Sequence, residues 1–82
     1  MAKVVLTRRA MKDLEKLDPQ TKRRILEKLR LNAQDPLEHS VKLTDSKLGT
    51  YRYRVGDYRI IFDLEGNMLV VIRVGHRREI YL

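Results

Sequence analysis

The sequence predicts an α+β domain in which a hairpin of two helices packs on a small antiparallel β-sheet. Three observations support this prediction. Residues 50–63 alternate aromatic or β-branched residues with arginines around a Gly-Asp dipeptide, which is typical of a β-hairpin. Apolar residues recur at helical spacing between positions 10 and 33. A continuous apolar run at 68–72 is typical of an interior strand. With 82 residues, we expect one domain covering 1–82.

The first part of the chain predicts a strand and then a helix. Residues 3–6 read Lys-Val-Val-Leu and have strand character. Thr7 is a suitable N-cap, because its hydroxyl can accept a hydrogen bond from the first helical turn. The apolar residues that then follow helical spacing are Ala10, Met11, Leu14 and Leu17.

A second helix is predicted to begin at Asp18-Pro19, since aspartate favours the N-cap and proline the first helical position. It should end between residues 32 and 35, because Pro36 disfavours helix in the residue before it. Residues 36–49 are polar and are predicted to be irregular. The apolar stripe of this helix consists of Ile25, Leu26, Leu29 and Ala33, and the expected anchors of the irregular segment are Val41 and Leu43.

The predicted hairpin separates aromatic side chains from arginines. If Gly56-Asp57 forms the loop, one face carries Tyr51, Tyr53, Val55, Tyr58, Ile60 and Phe62. The other face carries Arg52 opposite Ile61, and Arg54 opposite Arg59. Like charges directly opposite each other destabilise a sheet, so we interpret this face as a surface for an anionic ligand. For any single arginine, a solvated face whose side-chain stems cover apolar surface is the simpler interpretation.

The last third of the chain predicts two more strands. Residues 64–67 have turn composition, and we expect the strand at 68–72 to be covered on both faces. Whether Arg73 joins the face of the other arginines is open, because one extra residue reverses the parity of a strand. Residues 75–78 should break the strand, and residues 79–82 should close the chain with Ile80 and Leu82 directed inward.

Charge favours a nucleic acid or another polyanion as partner. The formal net charge is +7 and the pI is about 10.1. From position 51 onward every basic residue other than His76 is an arginine, and all the aromatic residues lie in the same part of the chain. Arginine forms planar, bidentate contacts with phosphate, and interleaved aromatic rings can stack on bases.

Composition excludes several other classes. The chain has no cysteine, so it forms no disulfides, and two histidines without cysteine make a zinc site unexpected. We therefore expect no metal or cofactor. No apolar run approaches the roughly 20 residues that span a bilayer, and no signal peptide is recognisable, so we expect a cytoplasmic protein with no membrane partner.

A basic protein without metal can cleave RNA, because the 2′-hydroxyl of RNA is itself a nucleophile. The protein must align that oxygen with the phosphorus, stabilise the developing charge and assist proton transfer. The candidates for charge stabilisation are Arg52, Arg54, Arg59 and Arg77. Tyr81 is a candidate for base stacking or proton relay, or else a C-terminal packing anchor. His76 has a side chain whose ordinary pKa suits acid–base chemistry, although a structural turn residue is the simpler interpretation.

The chain resembles the RelE family of toxins in toxin–antitoxin systems. The resemblance rests on the element order, on Leu43, on residues 49–62 (Gly-Thr-Tyr-Arg-Tyr-Arg-Val-Gly-Asp-Tyr-Arg-Ile-Ile-Phe) and on residues 74–81 (Val-Gly-His-Arg-Arg-Glu-Ile-Tyr). It implies a small microbial ribonuclease-like α+β fold. It also implies metal-independent cleavage of mRNA in the decoding site of the translating ribosome, inhibition of translation, and control by a cognate, acidic, RelB-like antitoxin.

The resemblance also implies roles for individual residues. Arg59 and Arg77 match the family's phosphate-binding and leaving-group arginines, and Tyr81 matches its C-terminal stacking tyrosine. Arg52 and Arg54 stand where well-studied members carry lysines. Arginine is a poor general base because its pKa lies above 12, so the base is left open, with His76 and Lys47 as further candidates.

Two other functions remain open at this point. One is a ParE-like toxin that inhibits DNA gyrase with the same fold and cleaves no RNA. The other is a non-catalytic RNA-binding regulator of translation, which the arginines at positions 52 and 54 leave open. The combination of Arg59, Arg77 and Tyr81 favours the nuclease.

Overall fold

Two helices pack on one face of a β-sheet in the computed structural model of the chain, which describes residues 2–38, 40–42 and 51–76. The elements are β1 (Lys3–Leu6), α1 (Arg8–Glu15), α2 (Pro19–Asn32), β2 (Ser40–Lys42), β3 (Tyr51–Val55), β4 (Tyr58–Glu65) and β5 (Met68–His76). The strand order across the sheet is β1-β5-β4-β3-β2. Neighbouring strands are antiparallel except β1, which runs parallel to β5. The predicted α+β class with a helical hairpin on a sheet is confirmed, but the sheet is mixed and not wholly antiparallel as predicted.

Both helices begin where their capping residues predict. The Thr7 hydroxyl accepts a hydrogen bond from the amide of Ala10 at 3.2 Å. The Asp18 carboxylate accepts one from the amide of Thr21 at 3.1 Å, and Pro19 occupies the first helical position. Each cap satisfies an amide that has no partner within the helix. The described helices include none that is long and apolar enough to cross a bilayer.

The hairpin of β3 and β4 has the predicted register. Val55 pairs with Tyr58, and Gly56 in the turn has a φ of 59°, a conformation that glycine adopts without strain. The aromatic face of this hairpin packs against the helices. The buried residues of this core are Ala10, Leu14, Ile25, Leu29, Ala33, Tyr53, Val55, Ile60, Phe62, Leu69, Val71 and Val74.

Strand β5 differs from its prediction in length and in cover. It continues to His76, although Gly75 was expected to break it. The long antiparallel ladder with β4 explains the difference, because Gly75 pairs with Arg59 and His76 pairs with Tyr58. The strand is interior to the sheet as predicted, but the cover on the second face is incomplete, since Val70 and Ile72 are only partly buried.

A bulge in β5 reverses its parity. Phe62 pairs with Val71 while the preceding residue, Ile61, pairs with Arg73, so Ile72 is one residue in excess. As a result both Val71 and Val74 reach the core, which an unbroken two-residue alternation would not allow.

The segment predicted to be irregular contains a strand. Ser40–Lys42 form β2, which pairs with β3 at the sheet edge. A strand of three residues gives little periodicity to detect, and the ladder of β3 supplies its hydrogen bonds. The predictions for Leu43 and for residues 77–82 lie outside the described residues.

The cap at Asp18 predicts a specific acid sensitivity. Hydrogen bonds from the Thr21 hydroxyl, at 2.6 Å, and from the Thr21 amide lower the pKa of this exposed carboxyl. Since the folded-state pKa lies below the unfolded value of about 3.9, the contribution to stability is present above that pH and is lost as the pH falls through the folded value. The stability advantage of the wild-type protein over Asp18→Asn should therefore shrink on acidification. Urea unfolding midpoints between about pH 5 and about pH 2 measure it, and a constant difference would contradict the assignment.

Candidate functional site

Three arginines lie on the sheet face opposite the helices. We call Arg52, Arg54 and Arg59 the arginine face. They alternate along β3 and β4 with residues that pack in the helical core, so their side chains project to the other side. Arg54 pairs directly with Arg59, as the sequence predicts. The hairpin therefore brings together three of the five predicted site residues.

The arginine face has a buried apolar centre. Ile61 alternates with Arg59 along β4, pairs with Arg52 and has 0% exposure. Arg54 is exposed, whereas Arg52 and Arg59 are half-buried, and the Nε atom of Arg59 is itself buried. Charge near low-dielectric surroundings interacts with an anion more strongly than the same charge in open water. The face is therefore suited to a phosphate that approaches Arg54 and Arg59.

The hairpin tyrosines do not share this face. Tyr51 stacks on Phe62 with ring centroids 5.5 Å apart, and Tyr53 is only 9% exposed in the core. The alternation that gathers the arginines directs the tyrosines to the helices. The predicted separation of the hairpin's aromatic rings from its arginines is therefore confirmed. The role of Tyr81 stays a prediction, since that residue lies outside the described ranges.

His76 lies on the helical side of the sheet. It pairs with Tyr58, and the two rings meet edge to face at 5.8 Å. Both residues border a cavity of about 300 Å³ between α1 and the end of β5. The sheet thus separates His76 from the arginine face. Lys47, the other candidate base, lies outside the described residues, as does the predicted site residue Arg77.

Arg73, left open by the sequence, bonds to a helix. Its Nε atom lies 3.3 Å from Oδ2 of Asp13, a carboxylate on α1 with a side-chain exposure of 5%. Sequence reasoning missed Asp13 altogether. The available signal was its position, three residues after Ala10 and next to Leu14 on the buried side of the helix, where an unpaired carboxylate is costly.

The described residues hold no group of three or more histidine, cysteine, aspartate or glutamate side chains placed to bind a metal ion. What the arginine face offers is concentrated positive charge on a β-sheet. Such an arrangement can orient a phosphodiester and stabilise added negative charge on it.

Comparisons with known proteins find a family model and a relative that match nearly the whole chain. A family model described as the ParE toxin of the type II toxin–antitoxin system parDE matches residues 4–81. The chain is similar to Toxin RelE3 of Methanocaldococcus jannaschii, with 31% identity over 96% of this chain and 94% of the relative.

Two solved structures share the fold. One is the RelBE2 toxin–antitoxin complex of Mycobacterium tuberculosis, with a TM-score of 0.85 and 29% identity over 93% of this chain and 98% of the other. The second is the archaeal RelE–RelB complex of Pyrococcus horikoshii, with a TM-score of 0.77 and 24% identity over 95% and 97% of the two chains. At 24% identity, the second supports the fold alone.

The like-charge pair on the hairpin predicts a stabilising substitution. Replacing Arg54 with glutamate converts the repulsion across from Arg59 into an attraction. We expect Arg54→Glu to raise the free energy of unfolding by about 0.2–1 kcal/mol at low salt, and less at high salt. Arg54→Gln is the matched control, since it removes the repulsion without adding an attraction. Urea denaturation at two salt concentrations measures both, and equal stability of the two variants would contradict the pairing.

Proposed function

The chain belongs to the ParE toxin family of type II toxin–antitoxin systems, within the RelE/ParE superfamily, and from this premise we propose that it is a ribosome-dependent endoribonuclease. The substrate is mRNA in the decoding site, and cleavage inhibits translation. The observation that supports this proposal best is the arginine face, where Arg54 and Arg59 are directly opposite each other. Such a pair costs stability in the free protein and gains a role when a phosphate lies between the two guanidinium groups.

In this proposal the protein contributes alignment and charge. The mRNA 2′-hydroxyl attacks the adjacent phosphorus and the bond from that phosphorus to the 5′-oxygen of the next nucleotide breaks, leaving a 2′,3′-cyclic phosphate. The proton of the 2′-hydroxyl passes, through water, to the departing 5′-oxygen. Arg54 and Arg59 stabilise the negative charge that grows on the phosphoryl oxygens. Arg52 holds the neighbouring phosphate. Arg77 stabilises the leaving oxygen and Tyr81 stacks on a base. No metal or cofactor enters this reaction.

The proposal also accounts for dependence on the ribosome. His76 lies on the helical side of the sheet, and arginine exchanges protons poorly near neutral pH. None of the three arginines is therefore suited to act as the general base. A ribosome that holds the mRNA in the reactive geometry supplies the alignment on which such a site relies.

An antitoxin is the second proposed partner. The related structures from M. tuberculosis and P. horikoshii are complexes of a toxin with an antitoxin. With a net charge of +7, this chain suits an acidic, RelB-like antitoxin. We place both partnerships in the cytoplasm, where ribosomes translate mRNA.

Inhibition of DNA gyrase is the second candidate function. It is favoured by one observation, namely that the matching family model is named for ParE. Inhibition of gyrase does not require opposed arginines that stabilise a phosphoryl group. We therefore consider mRNA cleavage the better supported of the two functions.

Substitution of Arg59 tests the site. Arg59→Ala removes one contact to the transition state, so we expect the single-turnover cleavage rate per folded molecule to fall about 10²–10³-fold. Arg30→Ala is the control, because Arg30 is an exposed arginine on α2, away from the arginine face. Cleavage on ribosome-bound mRNA and thermal melting are measured on the same preparations. Wild-type activity per folded Arg59→Ala molecule would remove Arg59 from the site.

The purified protein should also distinguish between substrates. We expect rapid cleavage of mRNA in a programmed ribosome, slow cleavage of the same mRNA free in solution, and no effect on gyrase supercoiling. Comparable rates on free and bound mRNA would contradict ribosome dependence. Inhibited supercoiling with intact mRNA would favour the gyrase candidate, and tight ribosome binding with neither effect would indicate a non-catalytic regulator.

A further inference from the structure

We infer that Asp13 is a positioning residue, whose carboxylate fixes the end of β5 and so the point from which the chain continues to Arg77. This inference rests on the proposed function, in which Arg77 and Tyr81 take part in cleavage. Asp13 belongs to α1 in the helical layer, and the sheet separates that layer from the arginine face.

Strand β5 extends beyond its parallel neighbour. The pairing of β1 with β5 ends at Leu6 and Val71, and the chain then turns into α1. From Ile72 to His76, β5 keeps β4 on one side and has lost β1 on the other. Backbone amides on the second side need another acceptor, since an unsatisfied buried amide is costly.

Asp13 supplies that acceptor. Its Oδ2 atom accepts a hydrogen bond from the buried amide of Val74 at 3.0 Å, and the same oxygen lies 3.3 Å from Nε of Arg73. Its Oδ1 atom lies 3.5 Å from Nε of Arg9. A carboxylate can accept from all three donors, whereas alanine accepts from none and asparagine has a single acceptor oxygen.

A second contact ties the same helix to the bulge. The Thr7 hydroxyl donates to the carbonyl oxygens of Val71, at 2.8 Å, and of Ile72, at 3.2 Å. Six residues of helix rise about 9 Å, and three residues of strand extend about 10 Å. The distance from Thr7 to Asp13 along the helix therefore matches the distance from Val71 to Val74 along the strand. Contacts at the start of α1 and near its end thus hold both ends of the bulged part of β5.

The contacts of Thr7 and Asp13 with β5 have a consequence for cleavage because of where they lie along the strand. Val74 lies two residues before the end of β5, and Arg77 follows His76 directly in the sequence. A change in the course of β5 at Val74 is passed on to Gly75 and His76, and Arg77 is bonded to His76. A misplacement of about 1 Å in an active site can cost about 10²-fold in rate.

The test compares Asp13→Ala, Asp13→Asn and Arg9→Ala. Arg9→Ala removes the partner of Asp13 that is 59% exposed and leaves both contacts with β5. Single-turnover cleavage is measured on ribosome-bound mRNA. The Kd is measured on ribosomes whose mRNA carries a 2′-O-methyl group at the cleavage site, which blocks the nucleophile. Amide hydrogen exchange at Val74 is followed by NMR in the free protein.

For Asp13→Ala we expect faster exchange at Val74 and a fall in cleavage of about 10–100-fold per folded molecule, with an unchanged Kd. Asp13→Asn should recover most of the cleavage rate, because it restores an acceptor for the Val74 amide. Arg9→Ala should match the wild-type protein in all three measurements. A merely structural role would lower the folded fraction and leave the rate per folded molecule unchanged.

The two proposals fail in different ways. Wild-type cleavage per folded Asp13→Ala molecule would overturn the positioning role and leave the proposed function intact. If Asp13→Ala does not fold, Asp13→Asn provides the test. A full cleavage rate in Asp13→Asn, together with rapid hydrogen exchange at the Val74 amide, would also overturn the positioning role. If the wild-type protein cleaves no mRNA, the proposed function fails, the positioning role in cleavage fails with it, and the exchange data still show whether Asp13 anchors β5.

Discussion

The antiparallel ladder between β4 and β5 is the interaction on which the rest of the structure depends. It joins the two longest strands, and every residue of β4 has a partner in β5. On one side this ladder supports β1, and on the other it supports β3 and then β2. The geometry of the arginine face is determined by β4, because Arg59 and Ile61 alternate along this strand with buried Ile60 and Phe62.

The two faces of this sheet carry separate tasks. The helical side gathers most of the buried apolar residues, including all four of the hairpin's aromatic rings. This leaves the opposite side free to carry opposed arginines, whose repulsion of a few tenths of a kcal/mol is small against the burial of one large core side chain. A small domain can hold such a pair because its stability comes from the other face. The trade between local strain and function is common at binding sites.

The helix caps and the register of the hairpin could be predicted because each depends on a few residues that are neighbours in the sequence. Thr7 and Asp18 cap helices because each is a short acceptor before an apolar period, and the register of Arg54 with Arg59 follows from a two-residue turn. The bulge at Ile72 has no such signature, since it is determined by how β5 must meet both β4 and the core. The side of the sheet on which His76 lies depends on that bulge, and so it could not be read from the sequence.

The pairing of β1 with β5 has a consequence for how the protein is made. These strands are neighbours in the sheet, yet the Thr7 hydroxyl and the Val71 carbonyl that it contacts are 64 positions apart in the chain. Contacts of such large sequence separation form late and slow the folding of small domains. During synthesis, β1 must wait until the chain has been made as far as Val71 before its partner strand exists. The sheet is therefore completed only after β5 has been synthesised, and a nascent chain without β5 lacks the finished sheet on which the arginines are displayed.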